Sequence, residues 1–201
     1  MRTDGAVTMT WYVVDGMDGS GKTTSSDLIR AQLESEGRKV LEITHPNSGF
    51  FFGKLAARFL CIPGKIATLF STVFYIFDVI HSLNHKKWHG RKYDDVIFVR
   101  YSMAAAYLPA SLCPTAYRII TKVLPVPDVK ILVDIEPETA MERILERGEK
   151  LEVFETVDKL RSTRQKMLGI SEGWYVIDNS GTRESTEAQT EDVLREVRAA
   201  R

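Results

Sequence analysis

The chain has 201 residues, of which 44% are hydrophobic and 27% charged, a globular composition that excludes a disordered protein and suffices for one domain spanning 1–201. Its 27 basic residues are balanced by 27 acidic ones, so the net charge is zero. That argues against a general nucleic-acid binder, which carries a basic excess.

Taken in chain order, residues 1–8 read as a frayed polar leader without an apolar signal core. "TWYVVD" (10–15) is a β-branched and aromatic run met at once by glycines, which predicts a buried strand. A helix follows over 23–35 and stops at Gly37. "KVLEIT" (39–44) is a second strand ended by Pro46, and 52–60 a short helix closed by Pro63-Gly64. Residues 65–88 form a long helix. Its segment 66–80 is shorter than the ~20 apolar residues of a membrane span and contains Asp78, so a buried helix is predicted, and no span. "DVIFV" (95–99) is a third strand. Helix resumes over 102–123, with breaks expected near Pro109 and Pro114. Then come a strand at 129–135, a helix at 137–148, a helix at 152–168, a strand at 174–178 and a helix at 186–199. Strands alternate with helices, and each strand is a continuous apolar run. The pattern predicts an α/β fold, a three-layer, doubly wound, parallel five-stranded sheet. Cys61 and Cys113 are the two cysteines; they read either as one disulfide or, the reading adopted, as free buried thiols in a cytoplasmic protein.

Chemistry concentrates after the first strand, in "GMDGSGKTT" (16–24). Gly16, Gly21, Lys22 and Thr23 fit G-x-x-x-x-G-K-[ST] between a strand and a helix. Glycines let the backbone wrap a polyphosphate, and the helix aims its positive end there. The loop residues Gly16, Met17, Asp18, Gly19, Ser20, Gly21, Lys22, Thr23 and Thr24 are the predicted nucleotide site. Lys22 can reach the terminal phosphates; the Thr23 hydroxyl can bind Mg2+. Downstream, Arg143 and Arg147 lie four apart on one helical face, where they serve either a migrating phosphoryl group or a solvated face balanced by Glu142 and Glu146. On the long helix Thr68, Ser71, Tyr75, Asp78, Ser82 and His85 form one polar stripe, facing either an acceptor cleft or solvent. The oily remainder, Phe70, Val73, Phe74, Phe77 and Ile80, reads as core, dimer seam or acceptor wall. His81 and His89 read as structural, and no cluster has zinc-like spacing.

"DGMDGSGKTT", "ITHP", "VRYS", "DIEPETAMERILERGEKLEVFE" and "LRSTRQKML" follow one another in an order that resembles the thymidylate kinase family, over roughly residues 10–180. The resemblance implies a P-loop kinase fold, with ATP and Mg2+ as cofactors and a nucleotide or other phosphorylated molecule as partner. It implies a homodimer packed through its long helices. It places Lys22, Arg100, Arg143 and Arg147 as catalytic residues, with a lid at about 143–155. It places Asp18 and Arg100 beside the acceptor, where Pro46, Phe74, Asp78 and Tyr107 are also expected; Thr23, with Asp15 close by, is the expected metal site. The chain departs from the family where it has Val99 before Arg100, Thr44-His45 before Pro46, Val79 after Asp78 and Leu108 after Tyr107. Three readings follow: thymidylate kinase; a related kinase for another, more apolar phosphorylated acceptor; or an ATP-binding module without transfer.

Overall fold

A computed structural model describes residues 9–60, 62, 65–148 and 155–200. The expected leader and residues 149–154 of the expected lid lie outside the described residues, as does Cys61; Cys113 is a free, buried thiol.

Five parallel strands form the sheet: β1 (Thr10–Asp15), β2 (Val40–Thr44), β3 (Asp95–Val99), β4 (Val129–Asp134) and β5 (Tyr175–Asp178), in the order β2-β3-β1-β4-β5. The helices are α1 (Lys22–Ser35), α2 (Phe51–Leu60), α3 (Lys65–His89), α4 (Cys113–Val123), α5 (Pro137–Glu146), α6 (Val157–Gly169) and α7 (Arg183–Ala199). Every residue of β1 and β3 is buried. A strand covered on both faces has no reason to alternate polar with apolar, so its sequence is a continuous oily run. Alternate residues feed two cores. Trp11, Val13, Val96 and Phe98 meet α3, α5 and α6 through Val79, Ile144 and Leu160. Tyr12, Val14, Ile97 and Val99 meet α1 and α7 through Ile29, Leu33 and Leu194. The phosphate-loop candidate thus leaves the middle strand of a three-layer sandwich.

The stretch expected as one interrupted helix over 102–123 is two elements. A 3-10 segment runs over Ser102–Tyr107, and α4 starts only at Cys113. Pro109 breaks the chain, but Pro114 does not. It sits in the first turn of α4, where its missing N–H costs nothing and its fixed φ suits a helix. Helix α7 starts three residues before the expected position, because Thr182 Oγ1 accepts a hydrogen bond from the Ser185 amide at 3.3 Å and caps it.

Helix α3 turns its polar stripe inward. Ser71, Asp78 and Ser82 are buried, while Phe70, Val73, Ile76, Phe77 and Ile80 stand 37–51% exposed. Hydropathy alone assigns these faces the other way round. Among the described residues no helix is long and apolar enough to cross a membrane.

Phe98 is fully buried, and its ring meets Trp11 and His45 edge-on, each at 5.2 Å between centroids. Truncation there leaves a void that the sheet cannot close. Phe98→Ala should lower the unfolding free energy by about 3–5 kcal/mol, read as a fall in the urea midpoint at unchanged slope.

Candidate active site

The turn after β1 is built for close approach. Gly19 has φ 76°, and a Cβ there would lie 2.4 Å from the Ala140 carbonyl. Gly21 has φ 90°, and a Cβ there would lie 2.3 Å from the Asn179 amide. Only glycine meets both demands, so the turn can bring its amides to one centre and start α1. Lys22 is buried; its Nζ donates to the Met17 carbonyl at 2.7 Å and lies 3.8 Å from Asp18 Oδ1. Met17 itself belongs to the core, and Thr23 and Thr24 are exposed at the start of α1.

Arg100 follows β3 directly. Its φ of 67° makes it the one non-glycine residue with positive φ among the described residues. Left-handed backbone costs an ordinary side chain about 1–2 kcal/mol, so the neighbours must enforce it. Four do. The Arg100 amide donates to the Val14 carbonyl at 3.0 Å, and the Arg100 carbonyl meets His45 Nδ1 at 2.8 Å. Beyond it, the Tyr101 amide donates to Asp15 Oδ2 at 2.9 Å, and the Tyr75 hydroxyl donates to the Tyr101 carbonyl at 3.2 Å. The resulting backbone sends the Arg100 guanidinium to Asp18 Oδ1, 2.5 Å away, while the Tyr107 hydroxyl donates to Asp18 Oδ2 at 2.9 Å. Burial pushes the Asp18 carboxyl up, but Arg100, Lys22 and the Tyr107 hydroxyl outweigh it, and the group rests below the usual carboxylate range.

Asp15 plays a different part. Its Oδ1 accepts the Gly16 amide at 3.2 Å, and its Oδ2 accepts those of Tyr101 and Met103 at 2.9 and 3.1 Å. Burial raises its pKa against those bonds and the charge of Lys22. The carboxylate therefore joins the start of the glycine turn to the segment after Arg100.

The arginines of α5 separate. Arg143 donates to the Asn179 carbonyl at 3.1 Å, beside the turn; Arg147, more exposed, pairs with buried Glu155 at 2.5 Å. Asn179 is a site residue that sequence reasoning missed. Its Nδ2 donates to the Ser20 carbonyl at 2.7 Å, and its Oδ1 accepts from Thr186 at 2.7 Å. The available signal was position, since it follows β5 at the carboxyl edge of the sheet, where ligands of such sheets bind. Arg164 was also missed: it holds both oxygens of Asp134, each at 2.9 Å, and so locks α6 to the end of β4.

On the other flank, the residues expected beside an acceptor are held by different partners. Pro46 follows a cis peptide bond, and Asp78 Oδ2 accepts the next amide, Asn47, at 2.7 Å. Burial raises the Asp78 pKa against that bond. Phe74 stacks on Phe59 of α2 at 5.7 Å. Tyr107 stands with Asp18 and Arg100. Val79, where the resemblance leads one to expect an arginine, is packed in the core.

A glycine turn on the middle strand, a lysine opening the next helix and arginines converging from β3 and α5 define a P-loop nucleotide kinase. The thymidylate kinase family model matches residues 14–198. The chain is 32% identical over 187 residues to a probable thymidylate kinase of Archaeoglobus fulgidus, covering 90% of this chain and 92% of that one. It is 33% identical over 173 residues to a probable thymidylate kinase of Pyrobaculum calidifontis (84% and 86%), and 28% identical over 185 residues to a thymidylate kinase of Xanthomonas oryzae pv. oryzae (90% and 81%). The chain belongs to the thymidylate kinase family.

Burial lowers the His45 pKa from 6.5 to about 4. Between those values the unfolded chain binds a proton that the folded chain refuses. Stability that is complete above the unfolded value is lost as pH falls through this window, at about 1.4 kcal/mol per pH unit. In His45→Leu the slope of unfolding free energy against pH should be shallower by that amount across the same window, measured by urea titration at several pH values.

Proposed function

We propose that this protein transfers the γ-phosphate of ATP to thymidylate, with Mg2+ as the accompanying ion. The observation that carries the reading is the convergence of Lys22, Arg100 and Asp18 at the carboxyl ends of β1 and β3, in a chain of this family. An acceptor that is already a phosphate is ionised at neutral pH and needs no general base, so positioning and charge do the work. The residues fit the donor: the left-handed φ values of Gly19 and Gly21 and the closeness of their neighbours admit only glycine, and the turn so formed can present its amides to phosphate oxygens.

The roles divide as follows. Amides of residues 16–24 and Lys22 Nζ hold the donor phosphates, with Met17 contributing its carbonyl as the lysine's resting partner. Arg100 exchanges Asp18 for phosphate oxygens at the junction of donor and acceptor, while Asp18 and Tyr107 turn to the acceptor's sugar. Arg143 and Arg147 close over the migrating group as part of a lid at about 143–155. The exposed Thr23 hydroxyl suits direct Mg2+ ligation; Asp15, with both oxygens on amides, suits a role through water. When bound, the ion neutralises phosphate charge. Pro46, Phe74 and Asp78 shape the acceptor side. The whole chain works as one cytoplasmic domain.

The exposed phenylalanines of α3 favour a homodimer. Phe52 of α2 stacks on Phe77 of α3 at 5.3 Å and extends the apolar surface, which a second copy would bury. Phe77→Arg should shift sedimentation from dimer to monomer.

A second reading, a different phosphorylated acceptor, is favoured by Val79. Its place in the core leaves no side chain there to read a base edge. One experiment weighs both: labelled ATP with a panel of nucleoside monophosphates and apolar phosphate monoesters. Thymidylate should be the best acceptor, and Lys22→Ala should lose at least about a hundredfold in rate while its circular dichroism is unchanged. Full turnover by Lys22→Ala would refute the scheme; a better acceptor elsewhere in the panel would select the second reading.

A further inference from the structure

Arg100 holds its left-handed backbone, and one of the four contacts enforcing it stands apart. The bond to Val14 continues the parallel ladder of β1 and β3. Those from Asp15 and Tyr75 act on the next residue. His45 acts on Arg100's own carbonyl, through Nδ1 at 2.8 Å, at the end of that peptide opposite the Asp15 bond to the Tyr101 amide. A carbonyl only accepts, so Nδ1 carries the proton and Nε2 the lone pair. The ring has no freedom to do otherwise. It is fully buried between Phe98 and Tyr75, and its own amide donates to the Val99 carbonyl at 2.9 Å. Nε2 has no hydrogen-bond partner among the described residues.

We propose that His45 is the positioning residue for Arg100, its Nδ1–H fixing the Arg100 carbonyl so that the guanidinium is held where the two phosphates meet. The inference rests on the reading of Arg100 as the phosphate clamp. The residue type suits the task. A carboxylate has no proton to give a carbonyl, and a lysine would bring a charge into an apolar pocket. A neutral imidazole offers one fixed donor in a rigid plane. Without it the peptide that follows Arg100 is held by Asp15 at its amide end while its carbonyl end is released, so the plane can tilt, and the long side chain amplifies that tilt at its tip. The substrate-side consequence is specific. Donor binding at the glycine turn stays, while the step that needs both phosphates aligned slows.

The test compares His45→Leu, His45→Asn, Arg100→Ala and the Leu/Ala double variant, using the best acceptor from the phosphate panel. His45→Leu should lower kcat by at least about tenfold while the Kd of a fluorescent ATP analogue stays within about twofold. His45→Asn, whose amide nitrogen takes the place of Nδ1, should recover most of the loss. The double variant should be no slower than Arg100→Ala, because the two residues act as one unit. Unchanged kcat in His45→Leu, no recovery in His45→Asn, or additive losses in the double variant would each overturn the proposal. A separate readout needs no turnover. Nitrogen-15 NMR of the wild-type imidazole should show the proton on Nδ1, and the Arg100 amide signal should move in His45→Leu but not in His45→Asn. A proton on Nε2, or an unmoved Arg100 signal, overturns the proposal even if every acceptor in the panel fails, an outcome that by itself would refute only the kinase reading.

Discussion

Everything at the site depends on a single backbone angle, the left-handed φ of Arg100. A parallel strand must end somewhere, and β3 ends by turning its next side chain sharply out of the sheet plane. That turn is unfavourable for a residue with a Cβ and survives only because its surroundings leave no alternative. The ladder from β1, the imidazole from the end of β2, the carboxylate of Asp15 and the phenol of α3 each remove one way of relaxing it. Four contacts, from β1, the end of β2 and α3, are thus committed to the direction of one guanidinium.

The charge arrangement follows from that direction. Asp18 faces Arg100, Lys22 and a donated phenol, all near the glycine turn. A lone carboxylate so deeply buried would be costly; flanked by two cations it is stable and ionised. The same cations, left without an acid, would repel each other. In the proposed reaction the aspartate would keep the cationic pair ordered until phosphate oxygens took over its partners. Ordering them beforehand spares that cost during binding.

Much of this was legible in the chain, for physical reasons that differ by element. Strands β1 and β3 could be bounded to the residue because burial on both faces forces an uninterrupted oily run between polar ends. The glycine turn was legible because its chemistry admits few residue types at fixed spacing. The orientation of α3 was not. Its polar stripe was visible, but hydropathy puts polar groups outside, whereas Asp78 and Ser82 lie inside. Asp78 goes in because it holds the amide after the cis peptide at Pro46, a long-range demand that no local pattern carries. Asn179 escaped notice for the same reason. Its value comes from touching Ser20, which lies 159 residues away in the chain. His45 was noticed only as a departure from the family, and its task became visible once β2 and β3 were paired side by side.

The carboxylate of Asp15 has a mechanical consequence. It grips Gly16 on one side and both Tyr101 and Met103 on the other. The floor that would carry one substrate and the arm that would reach for the other are pinned to the same two oxygen atoms. Such a joint has no slack. In the proposed reaction a shift in the loop would be passed to the segment after the arginine, so the distance between donor and acceptor would be gauged from a common origin rather than set by two parts that move apart.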